Sequence, residues 1–250
     1  MFPLPENRSA LRAVYSLAGR LADNPRQRCV PLVYLHGATG TGKSTLMNAL
    51  SDRLLAKAAD RVIVSIPAVD LGRILVTPPG VIADTPDLRG CDLLIVEDVQ
   101  FLPESAADGL ALLLDHRATR LRGVCVTALR GPGELADLPN RIVSRLASGL
   151  VVHLPPLSVE SRTALVSHML STRKLYLDNE VIAWLVNRSV GGIRGLIGEL
   201  TKLEHLARIL PPPLTLESIR SQTGEEPKAD VLAEIVRRIC AAFRVTAKQL

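Results

Sequence analysis

Short apolar strands alternating with amphipathic helices predict an α/β chain: a parallel sheet sandwiched by helices, followed by a small all-helical unit. Three observations carry that reading. Four apolar runs of strand length are separated by helical or loop segments; the first runs through a glycine-rich loop straight into a helix; and strand signals cease after "VVHLPPLS". The implied organisation is an α/β domain over residues 1–154, a helical lid domain over 155–210, a linker over 211–229 and a last amphipathic helix within 230–250.

Each element has a local cause. In "SALRAVYSLAGRLAD" Leu11, Val14, Tyr15, Leu17 and Leu21 recur at roughly helical spacing, and "NPRQ" breaks the helix. "VPLVYLHG" is the continuous apolar run expected of a strand buried on both faces. Leu46, Leu50 and Leu54 line one face of the helix that follows. "DRVIVSI", "CDLLIVEDVQ" and "GVCVTAL" give three more strands, with "SAADGLALLLDHRATRL" a helix between the last two. "VTPPGVIADTPDLRG" is rich in Pro and Gly and reads as a loop or broken helix. Past Pro155, "SVESRTALVSHMLSTR", "DNEVIAWLVNRS" and "GIRGLIGELTKLEHLARIL" are helical. "PPPLTLESIRSQTGEEPKAD" is a linker with one short helix, and Leu232, Ile235, Ile239 and Phe243 give the final helix its apolar face.

Composition narrows the partners. Of 250 residues 47% are hydrophobic and 22% charged, ordinary globular material with enough apolar surface for a core. Aromatics at 3% argue against base stacking as the main mode of any nucleic-acid contact. A net charge of +5 leans towards an anionic partner. Cys29, Cys91, Cys125 and Cys240 form no CxxC pair, which speaks against a zinc or disulfide framework and for a reducing cytoplasm. "MFPLPENRSA" lacks the basic-then-apolar order of a secretory signal, and no apolar run approaches the ~18 residues of a membrane span.

"GATGTGKS" matches G-x-x-x-x-G-K-[ST] at Gly37, Gly42, Lys43 and Ser44, with a strand before it and a helix after it. Backbone amides of Gly37, Ala38, Thr39, Gly40, Thr41, Gly42 and Thr45 are placed to cradle phosphates at a helix N-terminus. Lys43 is placed to bridge the β- and γ-phosphates of ATP, and Ser44 to ligate Mg²⁺. A chance loop match lacks that strand-and-helix context. "LLIVEDVQ" is an apolar strand that ends in Glu97 and Asp98, which aims carboxylates at the metal and at a water. Strands also end in exposed acids for no such purpose, so the pairing with the phosphate loop is what gives the acids meaning. Thr127 ends the next strand, where it can hold that water or the γ-phosphate. Arg145 is read as following the last strand and pointing into a neighbouring subunit's nucleotide. Arg194, after "VGG", is read as lying in the first turn of a lid helix and folding back on the phosphates. Both are solvated in the bland alternative.

These boxes together resemble one family. From about residue 2 to residue 245 the chain is similar to the ATP-binding (AAA+) core of the bacterial replication initiator DnaA. "ENRSALRAVYSLAGRLADNP" resembles the family's opening helix, "PLVYLHGATGTGKSTLMNAL" its phosphate loop and "DLLIVEDVQFL" its metal-binding strand. "LPNRIVSRLASGLVVHLPPLSVESR" resembles the arginine-finger box and "GGIRGLIGELTKL" the lid box. The resemblance implies Arg145 as the arginine finger, Arg194 as the lid arginine that senses the γ-phosphate, and Asn7 near the nucleotide base. It also implies ATP and Mg²⁺ as cofactors, slow regulatory hydrolysis to ADP, and ATP-dependent head-to-tail self-association on DNA at an origin. The replicative helicase or other replication proteins are its implied partners, and a nucleoid-associated cytoplasmic location follows. Arg117, Arg120 and Arg122 are candidates to grip DNA or, in the bland alternative, a solvated helix end.

The chain departs from the family pattern at several positions. Glu97 stands where the family usually has Asp, Leu129 where an acid follows the sensor strand, and Gly195 and Ile197 where the lid box is acidic. The segment from Ala68 to Arg89 is short against the family's single-strand-binding helices. "ADVLAEIVRRICAAFRVTAKQL" resembles only the opening of the double-strand-binding domain. Three alternatives therefore stand beside the initiator core. The first is a related regulator acting on the initiator or the clamp, although a clamp-binding peptide such as Q-x-x-L-F is not apparent. The second is a DnaC-like helicase loader, a class that lacks the long helical lid. The third is a small-molecule P-loop kinase, for which "DTPDLRG" supplies only weak substrate-site material.

Overall fold

The computed structural model describes residues 2–23, 32–78, 85–188, 192–209 and 214–223. The final helix expected within 230–250, Cys29 and Cys240 lie outside the described residues, as do both ends of the linker and the middle of the Pro-rich segment. Helix α1 spans Arg8–Asp23, strand β1 Leu32–His36, α2 Lys43–Lys57, β2 Ile63–Pro67 and α3 Ala68–Val76. Strand β3 spans Leu93–Glu97, α4 Ala107–Thr119, β4 Gly123–Ala128, α5 Asn140–Ala147 and β5 Leu150–His153. Four more helices follow: α6 Val159–Arg173, α7 Asn179–Arg188, α8 Gly192–Ile209 and α9 Leu216–Thr223.

The five strands form one parallel sheet in the order β2-β3-β4-β1-β5. Alternate residues of each strand feed opposite faces, which explains the unbroken apolar runs. On one face Val33, Leu35, Leu93, Ile95 and Cys125 pack with Leu11, Val14 and Leu17 of α1 and Leu46, Leu50 and Leu54 of α2. On the other, Tyr34, Leu94, Val96, Val124 and Val126 pack with Leu71 of α3, Leu110 and Leu114 of α4, and Ile142 and Leu146 of α5. A third core, including Val166, Leu170, Leu185, Leu200 and Leu203, is built from the later helices; it also takes in Leu214 and Ile219, beyond residue 210.

The helical unit is tied to the chain's start. Glu6 accepts from Ser158 N at 2.9 Å and from Ser161 Oγ at 2.7 Å, at the N-terminus of α6, and Phe2 stacks on His168 at 4.4 Å. These contacts hold the Glu6 carboxyl below its ordinary range, although burial alone would raise it.

Two readings need correction, and one stretch without an assignment is a helix. "VVH" is a fifth strand, so Arg145 does not follow the last strand; it lies on α5 between β4 and β5. Ala68–Val76 is a regular helix, which starts directly after Pro67. Arg117 is neither a DNA contact nor a solvated helix end, because its side chain is fully buried. It donates to the carbonyls of Leu88 and Gly123, each at 2.7 Å, and to Cys91 Sγ at 3.1 Å. Arg122 pairs with Asp92. Among the described residues, no helix is long and apolar enough to cross a membrane.

Candidate nucleotide site

A parallel sheet of this order places loops from several strands at the strands' carboxyl ends, where ligands of such folds bind. β1 ends at His36 and the loop 37–42 turns directly into α2. Gly42 makes that turn with φ 101°, which a side chain would strain. The amides of the first turn of α2 point into the loop, as an anion-binding helix start requires.

Lys43 Nζ lies over this loop and donates to the carbonyls of Gly37 at 2.7 Å and Ala38 at 3.1 Å. These are neutral acceptors, against which an anionic phosphate makes the stronger, charge-assisted bond. Burial lowers the Lys43 pKa; Asp98 opposes that shift and Arg194 adds to it. Thr41 is buried and its hydroxyl donates to Ala38 at 2.9 Å, which stiffens the loop.

Beside Lys43, Ser44 Oγ donates to Glu97 Oε2 at 2.9 Å, and Ser65 Oγ donates to Glu97 Oε1 at 3.3 Å. The residue after Glu97, Asp98, has a left-handed backbone with φ 55°. Two neighbours hold it there. Its N–H donates to Thr127 Oγ1 at 3.0 Å, and its carboxylate accepts from Gln100 Nε2 at 3.3 Å. Gln100 Oε1 in turn accepts from Leu129 N at 3.2 Å, so one amide joins the ends of β3 and β4. A strained acid held on two sides is the kind of feature that collects at functional sites.

The cavity has a volume of about 310 Å³ and is lined by Thr39, Gly40, Gly42, Lys43, Ser44, Thr45, Asp98, Gln100, Phe101, Leu129, Ile193, Arg194 and Ile197. The helical unit closes one side. Gly192 begins α8 with φ 70°, and a Cβ there would lie 2.7 Å from the Gly40 carbonyl, so only glycine fits. Ile193 N donates to that same carbonyl at 2.8 Å. This contact sets Arg194 in the first turn of α8 on the cavity wall, opposite Lys43.

The predicted residues therefore divide. Thr39, Gly40, Gly42, Lys43, Ser44, Thr45, Asp98 and Arg194 surround one cavity; Gly37, Ala38 and Thr41 shape the loop without lining it, and Glu97 is bonded to Ser44 beside it. Thr127 is buried beneath it and serves Asp98 through its hydroxyl. Asn7 is not among the lining residues: its carbonyl oxygen accepts from Leu4 N at 2.9 Å and its amide donates to Phe2 O at 3.1 Å. Arg145 lies at the opposite end of the sheet, with Leu32 and Val124 near the starts of β1 and β4. Gln100 and Ser65 were not singled out from sequence. Ser65 is the lone hydroxyl in the apolar run "IVSI", a signal available there; the role of Gln100 depends on a single 3₁₀ turn at Val99–Phe101 that no periodicity reveals.

ATP and Mg²⁺ fit this residue set. Two cations face each other across a glycine cradle, which suits a polyphosphate. Among the described residues there is no cluster of three or more His, Cys, Asp or Glu that would cage a metal. A divalent ion beside Ser44 and Glu97 would therefore draw most ligands from phosphate and water, as Mg²⁺ commonly does.

Comparison with known proteins agrees with the fold. The profile of the bacterial DnaA ATPase domain matches residues 5–153. The chromosomal replication initiator protein DnaA of Nautilia profundicola is 24% identical over 248 residues, 94% of this chain and 56% of that protein. The chain spans about half the length of the curated relatives it matches. Domain III of the Thermotoga maritima replication initiation protein DnaA has a TM-score of 0.76 at 22% identity, covering 88% of this chain and 92% of that one. A replication initiator DnaA bound to AMPPCP and single-stranded DNA has a TM-score of 0.77 at 21% identity, covering 99% of this chain and 73% of that one. With well over half of the chain matched by the profile, the chain belongs to the bacterial DnaA ATPase-domain family.

Proposed function

We propose that this chain is the nucleotide-switched core of a replication initiator. It binds ATP with Mg²⁺, assembles head to tail on DNA in the ATP state, and hydrolyses ATP slowly as a means of reset. In this reading Lys43 and Arg194 hold the phosphates, Ser44 and Glu97 the metal, and Asp98 a water. The names of the relatives, and the related initiator bound to AMPPCP and single-stranded DNA, support the class of function.

One observation carries the assembly. Arg145 and the phosphate loop lie at opposite ends of the sheet, roughly 15 Å apart along five-residue strands at ~3.3 Å per residue. Arg145 is therefore poorly placed for its own chain's nucleotide and well placed for a neighbour's. A repeated contact between two unlike faces produces an open filament unless it closes into a ring. Slow hydrolysis is supported by the cavity wall at the end of β4, where apolar Leu129 lines the space in place of an acid that could orient water.

Arg145→Ala tests the reading. The variant is expected to bind ATP as the wild type does when dilute, and to lose ATP-dependent assembly in sedimentation. Unchanged assembly would remove the trans contact from the account.

A further inference from the structure

Arg145 stands in the last turn of α5, and α4 holds its guanidinium in one orientation. Nε donates to Asp115 Oδ1 at 2.6 Å and Nη2 donates to Asp115 Oδ2 at 2.7 Å, so the side edge of the guanidinium meets both carboxylate oxygens. Nη1 donates to the carbonyl of Arg141, one turn back, at 3.2 Å. A guanidinium has five N–H bonds. These contacts use one on each nitrogen, which leaves one on Nη1 and one on Nη2.

A second rung fixes the register of the two helices. Arg141 and Arg145 are one turn apart on α5, Asp108 and Asp115 two turns apart on α4, and Arg141 meets Asp108 at 3.4 Å. The Arg145 contact holds the Asp115 carboxyl below its ordinary range. The Asp115 and Arg145 side chains are 46% and 31% exposed, so solvent screens much of what the pair's charges add to the fold. A two-pronged clamp in water is better explained by what it does to the arginine than by what it does for the fold.

We propose that Asp115 is a positioning residue for Arg145. It grips the side edge of the guanidinium and presents the two remaining terminal N–H bonds to the terminal phosphate of a nucleotide held by a second copy of this chain. The inference rests on the preceding reading of Arg145 as acting across a head-to-tail contact. A loose arginine gives up its rotamer freedom when it meets a phosphate, whereas a clamped one has given it up on folding. Asp115 also withdraws charge from Arg145, an effect of opposite sign. The geometry decides for positioning, because the carboxylate takes the side edge and leaves both terminal nitrogens with a donor to offer.

Asp115→Asn keeps the shape of the side chain and removes its charge and one acceptor. Wild type, Asp115→Asn and Arg145→Ala would be compared by sedimentation in ATP, with ATP titration of the dilute chains as the control for an intact fold. Asp115→Asn is expected to raise the protein concentration for half-assembly about fivefold, the scale of one exposed ion pair, and Arg145→Ala to raise it further. At a concentration where Asp115→Asn alone stays monomeric, an equimolar mixture of Asp115→Asn with Lys43→Ala is expected to form mainly dimers. One partner then supplies the nucleotide and the other the clamped arginine, an outcome that a purely structural role for Asp115 does not give. Should Asp115→Asn assemble at the wild-type concentration or below while Arg145→Ala is impaired, the inference fails and the proposed function stands. Absence of dimers in the mixture overturns the contact between copies, and with it both readings. Wild-type assembly by Arg145→Ala overturns both.

Discussion

Lys43 and Arg194 reach one cavity from two different cores, and their contributions are separable. In the proposed function Lys43 exchanges its carbonyl partners for a phosphate, so Lys43→Ala is expected to weaken ATP and ADP binding alike, by roughly a hundredfold for a lost charged hydrogen bond at the strong end of the range. Arg194→Ala is expected to weaken ATP by roughly tenfold and ADP less, since a γ-phosphate sensor contacts only ATP. Titration with fluorescent ATP and ADP checks both; equal losses for the two nucleotides in Arg194→Ala would contradict the sensor role. The loop residues were legible because phosphate chemistry fixes their spacing along the chain. Arg117 was not, because a charged residue near a helix end is ordinarily in water. Here four separate acceptors surround it. Arg117→Ala strands the Leu88 and Gly123 carbonyls and is expected to cost roughly 3 kcal/mol or more of stability, at ~1–3 kcal/mol for each buried group left unpaired. A thermal melt reads this directly, and a wild-type melting temperature would mean that water replaces the guanidinium.

The beginning of α8 couples the helical unit to the phosphate loop through backbone alone. Ile193 N and the Gly40 carbonyl form the bond, and Gly192 permits the approach. Gly192→Val forces a left-handed β-branched residue against that carbonyl, at a cost of about 1–2 kcal/mol from conformation alone. If that strain displaces α8, ATP binding should weaken by roughly five- to thirtyfold, at ~1.4 kcal/mol per tenfold. The sheet core, which Gly192 does not touch, should keep its own unfolding transition. Unchanged ATP affinity would show that Arg194 reaches the cavity without this contact. Long elements were legible in the sequence: α1, α2 and the four central and early strands have enough periodic residues to be read. α3 and β5 were not. α3 is nine residues long between Pro67 and a Pro-rich segment, and β5 is a four-residue edge strand with one buried position, so neither carries a pattern of its own. Gln100 fell outside any pattern for a different reason: its contacts depend on how two strand ends meet, which no single segment encodes.

As a whole, the chain keeps a nucleotide face at the carboxyl ends of its strands and an arginine face at the other end. Sequence order alone, which runs Lys43, Glu97, Arg145, Arg194, cannot distinguish one site from two, because the separation of Arg145 arises only when β5 closes the sheet beside β1. In the proposed reading a complete set of phosphate-binding cations needs two copies, which links nucleotide state to assembly state. The coupling is reciprocal: if ATP favours assembly, assembly must tighten ATP. The most direct test is sedimentation of the purified chain with a fluorescent DNA oligomer, in ATP and in ADP. The account predicts large DNA-bound species in ATP and small, DNA-free species in ADP. A chain that stays small and leaves the DNA free in both nucleotides would contradict it.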